Sequence, residues 1–65
     1  MIEVEVFEGE FDGGDVIGPY KFPAMPRIGE EVSFGQPKRR KVLAVHYHFS
    51  LKGDVLFRIA VERLP

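Results

Sequence analysis

The sequence predicts an all-β fold, and three observations carry that expectation. Three stretches, within residues 2–7, 26–34 and 55–62, alternate side chains at the two-residue period of a strand. Breaks rich in glycine and proline separate them. Helical spacing competes in one stretch, at Val42, Val45 and Phe49, and its β-branched and aromatic content favours a strand there.

Residues 2–7 alternate strictly, with Ile2, Val4 and Val6 on one face and Glu3 and Glu5 on the other, the pattern of a half-buried strand. Residues 8–15 hold three glycines and four acids, which disfavours a helix, and Phe11 is expected to tack this loop to the core. The ordered carboxylate spacing and distal glutamate of a calcium loop are missing from it. Residues 16–23 read as extended, with Tyr20 and Phe22 on one face. Pro19 and Pro23 confine this piece to an edge or a connector, because neither has an N–H to give a ladder.

Residues 26–34 read as a turn through Gly29 feeding a strand, in which Val32 and Phe34 alternate with Glu31 and Ser33. Gly35-Gln36-Pro37 then breaks it. Residues 41–49 place Leu43, Val45, Tyr47 and Phe49 on one face and Val42, Ala44, His46 and His48 on the other. Residues 51–54 form a tight turn, and residues 55–62 alternate again, with Val55, Phe57, Ile59 and Val61 on the apolar side.

Left as an open sheet, so many short strands would expose several edges, and closure removes them. The expected fold is therefore a small five-stranded SH3-like barrel, partly open, formed by residues 1–65 as one domain. A small OB-like barrel fits less well, since the chain is short and lacks the usual intervening helix. The core is expected at Val4, Val6, Val32, Val45, Phe57, Ile59 and Val61.

Sixty-five residues leave no room for a two-lobed enzyme or an array of 20–50-residue repeats. Hydrophobic residues at 45% and charged residues at 29% make a globular rather than a disordered composition. With no cysteine, there can be no disulfide, thiolate zinc site or cysteine nucleophile. No apolar run approaches a membrane span, and the first residues are acidic where a signal peptide would be basic, so the expectation is a cytoplasmic protein without a membrane partner.

The net charge of −1 hides a strong partition. Eight acids against Lys21 and Arg27 fill residues 1–31; seven bases against Asp54 and Glu62 fill residues 32–65. The two halves are expected to pair across strands within one barrel, with complementarity between subunits as the alternative.

Pro26-Arg27-Ile28-Gly29-Glu30-Glu31-Val32, followed by Val42-x-x-Val45-x-x-His48 and an alternating last strand, resembles a loose group of small bacterial SH3-like barrel proteins carried on phages and other mobile elements. That resemblance implies a fold and oligomers, and no reaction. Gly29-x-x-Val32 and Glu62-Arg63-Leu64 are also similar to the plasmid-borne type II dihydrofolate reductases, tetramers around a shared pore. Their Val-Gln-Ile-Tyr motif is absent here, since Pro37 follows Gln36, the only glutamine, so no catalytic role carries over.

No catalytic, metal or cofactor site is expected. His46 and His48 project from one face, but no third histidine exists to complete a metal site with them. Ser33 and Ser50 lie in no nucleophile elbow, and Gly13-Gly14 lacks the lysine and helix of a phosphate loop. Pro23-Ala24-Met25-Pro26-Arg27 has the spacing of a proline-motif ligand and is expected to be a stiff connector. Conversely, a proline-reading groove typically presents a tryptophan, which this chain lacks.

Two interaction signals remain. Lys38, Arg39, Arg40 and Lys41 cannot all face solvent within a two-sided strand, so they belong at a tip or strand end, where a nucleic-acid backbone is a candidate partner. Six Phe and two Tyr are more than one small barrel encloses, and an apolar patch left outside marks a contact surface. Tyr20, Phe22 and Phe49 are the expected self-association residues. The functional expectation is a non-enzymatic binding module, acting as a homo-oligomer or on a protein partner, with nucleic-acid binding as the alternative and an enzyme assembled at an oligomer interface third.

Overall fold

The computed structural model describes residues 1–35 and 37–64; Gln36, in the expected Gly35-Gln36-Pro37 break, and Pro65 lie outside the described residues. Among these, every regular element is a strand: β1 (Ile2–Glu8), β2 (Asp15–Val16), β3 (Tyr20–Phe22), β4 (Glu31–Val32), β5 (Arg40–Phe49) and β6 (Val55–Val61). They form a curled half-barrel in the order β2-β1-β6-β5-β4, with β3 also on β1. Strands β1 and β6 run parallel, Val4 opposite Phe57 and Val6 opposite Ile59. The other edge of β1 is shared: β2 takes its C-terminal end and β3 its N-terminal end, both antiparallel.

The proline-limited stretch thus becomes two short strands. Ile17 still donates to the Val6 carbonyl at 2.8 Å, and Gly18-Pro19 then interrupts the ladder before β3. The strand expected within 26–34 shrinks to Glu31–Val32, because residues 27–30 are spent on a turn. Glu30 N donates to the Arg27 carbonyl at 3.1 Å, Gly29 takes φ 95°, and the Glu30 carboxylate accepts from Arg27 N at 2.7 Å. Strands β3 and β4 are not hydrogen-bonded to each other. Aromatic contact bridges them instead: Tyr20 stacks on Phe34 at 4.4 Å, and Phe22 meets the same ring edge-on at 6.5 Å.

Val4, Val6, Val42, Ile59 and Val61 form the fully buried centre, with Val32, Val45, Phe57, Phe22, Met25 and Phe34 packed around it. Val42 is a correction to strict alternation. The β5–β6 register slips by one residue between Val42 and Ala44, a β-bulge at Leu43. The slip reverses which residues face inward on the N-terminal side of the bulge, so Val42 is 1% exposed and Leu43 47%. Val42→Ala is expected to cost about 1–3 kcal/mol through lost burial and a residual cavity, against about 0.5 kcal/mol or less for Leu43→Ala. Denaturant midpoints check this, and equal midpoints for the two variants would place the bulge elsewhere.

The outer face of the sheet has a small cluster of its own. The Phe11 ring meets Phe7 at 5.4 Å and His46 at 5.6 Å, so the glycine-rich loop is tacked to the outer face rather than to the main core. Phe7 and Ala60 are buried there. Gly14 makes the loop tight enough: its N–H bonds the Glu10 carbonyl at 2.9 Å, and a Cβ on it would lie 2.1 Å from the Glu8 carbonyl oxygen.

Candidate interaction surface

Strand β1 pairs with β6 no further toward the hairpin tip than Phe57. The β5–β6 hairpin therefore runs on past the sheet, and the molecule is elongated, 38 × 26 × 18 Å. Residues 50–54 hold the hairpin tip. Ser50 N donates to the Asp54 carbonyl at 2.8 Å, Gly53 N returns to the Ser50 carbonyl at 3.0 Å, and Gly53 takes φ 93°. The Ser50 hydroxyl accepts from Lys52 N and Asp54 N, at 3.2 and 3.1 Å.

This projection exposes apolar side chains on both faces. Tyr47 and Phe49 are exposed on the inner face, Leu56 on the outer face and Leu51 at the tip; Phe49 keeps 67% of its surface open. Tyr47 is steadied by an edge-on contact with Phe57 at 5.8 Å. Cross-strand register places Tyr20, Val4, Phe57 and Tyr47 in one row across the inner face, and Phe49 opposite Val55 in the next. Of the three residues expected to self-associate, Phe49 stands open on the hairpin, Tyr20 is partly open against Phe34, and Phe22 is half-buried against the core. Tyr47, Leu51 and Leu56 are additions that face counting missed, since the signal lay in hairpin length, and that depends on where β1 stops.

Among the described residues, eight charged side chains pair within the chain. Arg40 bonds Glu8, Arg39 lies 3.6 Å from Glu31, Arg58 Nε 3.3 Å from Glu5, and Arg63 3.5 Å from both Glu8 and Asp15. Each of these ion pairs joins an acid of the first half to a base of the second, so the charge partition is met in part within the chain. Arg58 Nε is buried without a well-directed hydrogen bond; its guanidinium carbon lies 5.9 Å from the Phe7 ring centroid. Within the basic run Arg40 is turned inward and Arg39 is engaged, which leaves Lys38 and Lys41 exposed, with no side-chain ion pair among the described residues; the Lys41 backbone N–H is held by the Glu62 carboxylate at 2.6 Å.

His46 and His48 share the outer face with ring centroids 6.1 Å apart, and no group of three or more His, Cys, Asp or Glu residues converges among the described residues. An open pocket of about 470 Å³ lies along the proline connector, between Phe22, Met25, Arg27 and Val32. Pro26 is buried and Met25 packs on the core, so the connector is anchored rather than displayed.

No family model, no curated protein and no solved structure matches this chain. A functional reading rests on the surface alone. No helix of the described residues is long and apolar enough to cross a membrane.

Proposed function

We propose that this chain is a small non-enzymatic interaction module of the SH3-like barrel type that works as a homo-oligomer. The bacterial mobile-element setting is what its sequence resemblance implies. The observation that carries the reading is the projecting β5–β6 hairpin, which holds Tyr47, Phe49, Leu51 and Leu56 out in solvent. Burying one such side chain is worth about 1.5–3 kcal/mol. Tyr47 and Leu56 are already about half-buried, so the four together offer roughly 4–8 kcal/mol, set against about 4–15 kcal/mol for lost translational and rotational freedom. The two terms are of similar size, the regime of weak association that depends on concentration.

Light scattering over a concentration series is the test. The mass is expected to rise from one chain towards two or more as concentration increases. Phe49→Ser should weaken the rise by about tenfold in dissociation constant, the equivalent of ~1.4 kcal/mol, while the melting temperature of the dilute protein stays near wild type. A mass of one chain throughout, up to the millimolar range, would overturn the reading. Nucleic-acid binding through residues 38–41 is the second reading, and the exposed Lys38 and Lys41 favour it. It has less charge to draw on, since Arg39 and Arg40 already face carboxylates.

A further inference from the structure

We infer that the partner of this module is a second copy of the same chain, joined edge to edge through β5, so that two half-barrels share one continuous sheet. This rests on the self-association proposed above and adds its geometry. Strand β4 covers β5 only at Arg40 and Lys41, with two further backbone bonds between Val42 and residues 29 and 30. From Leu43 to Phe49, no strand among the described residues pairs with the outer edge of β5.

That edge has backbone groups to offer. Ser50 N points across the hairpin to Asp54. Backbone direction alternates along an antiparallel strand, so Phe49, Tyr47 and Val45 turn their N–H and C=O groups away from β6. Free edges are usually blunted by lysine, proline, an inward charge or a bulge. Residues 42–49, Val-Leu-Ala-Val-His-Tyr-His-Phe, contain no Lys, Arg, Asp, Glu or Pro, and the bulge sits at the end where β4 already stands.

The occupant must supply an edge of similar length and no opposing charge. The outer edges of β2, β3 and β4 are only two, three and two residues long, β2 carries Asp15, and Pro19 and Pro23 flank β3. Among the described residues β5 alone meets the requirement, and it meets it for itself. A two-fold axis normal to the sheet makes β5 antiparallel to its copy and keeps inner face with inner face. Val45, Tyr47 and Phe49 of one copy then lie against the same three residues of the other. The edge brings no Lys, Arg, Asp or Glu against its copy, and the inner-face Val45, Tyr47 and Phe49 gain cross-strand neighbours in the same step.

Amide hydrogen exchange followed by NMR over a dilution series tests this directly. When the mass doubles, the amides of Val45, Tyr47 and Phe49 are expected to exchange about tenfold or more slowly, whereas those of β3 stay unchanged. Two variants separate backbone pairing from side-chain stacking. Tyr47→Pro removes an outward N–H and the ring, while Tyr47→Ala removes the ring alone. Tyr47→Pro should be a folded monomer, and Tyr47→Ala should still dimerise with a weaker constant. A dimer whose Val45, Tyr47 and Phe49 amides exchange as fast as in the monomer would overturn the edge geometry and leave self-association standing. A wild-type chain that stays monomeric at every concentration would remove both.

Discussion

Ile59→Ala is expected to destabilise the fold by about 2–5 kcal/mol, the largest effect of any single truncation in this chain. Ile59 is the largest of the fully buried side chains, at 0% exposure. It sits on the strand that joins the two halves of the sheet, opposite Val6 on β1 and Val45 on β5. Removing three carbons there leaves a void whose walls belong to three strands, and a half-barrel this thin has no second layer to collapse into it. At about 0.05–0.15 kcal/mol per residue, a chain of this size has only ~3–10 kcal/mol to lose. In a domain of 60–100 residues each kcal/mol moves the midpoint by roughly 4–8 °C, so the melt should fall by about 10 °C or more. Circular dichroism melts at a concentration where the protein is monomeric give the answer. A shift under about 4 °C would mean that Ile59 is not at the centre of the packing.

Four residues of the expected core, Val4, Val6, Ile59 and Val61, are fully buried, and in their strands the polar residues Glu3, Glu5 and Arg58 mark the opposite face and so fix which side turns inward. Val42 was not legible. It opens the run Val42-Leu43-Ala44-Val45, in which every residue is apolar and alternation has nothing to hold on to, so the bulge could fall anywhere along it. No glycine marks the place. The second cluster was half legible: Phe11 stood out as the one apolar residue of an acidic loop, but the face of the sheet it would cover depended on how the loop folds back through Gly14.

The all-β class follows from local pattern, whereas the split of residues 15–22 into β2 and β3 follows from the prolines acting on a ladder that only the tertiary structure supplies. The basic run illustrates the same limit. Sequence placed Lys38, Arg39, Arg40 and Lys41 at a hairpin tip or strand end, and β5 begins within the run at Arg40, but which of the four turn toward carboxylates is decided by Glu8 and Glu31 on other strands. The interaction surface was legible only through its excess of aromatics. Phe49 could be named from its position beyond the basic run, while Leu51 and Leu56 belong to a hairpin whose reach is set by the five-residue pairing of β1 on β6.

Glu8→Ala is expected to cost about 2–3 kcal/mol, as much as truncating a core valine. Alternation puts Glu8 on the inner face, in line with Val4 and Val6 and opposite Val61, so its carboxylate closes one end of the core. It serves two guanidinium groups, Arg40 by a direct bond and Arg63 at 3.5 Å. Breaking a fully buried pair costs about 3–5 kcal/mol, chiefly because the remaining charge is left without a partner. Here the Arg40 and Glu8 side chains keep 14% and 17% exposure, so water recovers part of that. Arg40→Ala should cost less, about 1–2 kcal/mol, because Glu8 would still face Arg63. Glu3, exposed on β1 and without an ion pair among the described residues, is the control, and Glu3→Ala should change stability by about 0.5 kcal/mol or less. Denaturant titrations of the three variants rank them. If Glu8→Ala unfolded at the Glu3→Ala midpoint, the ion pairs at this end would be surface ornament, and the charge partition along the chain would need a partner outside it.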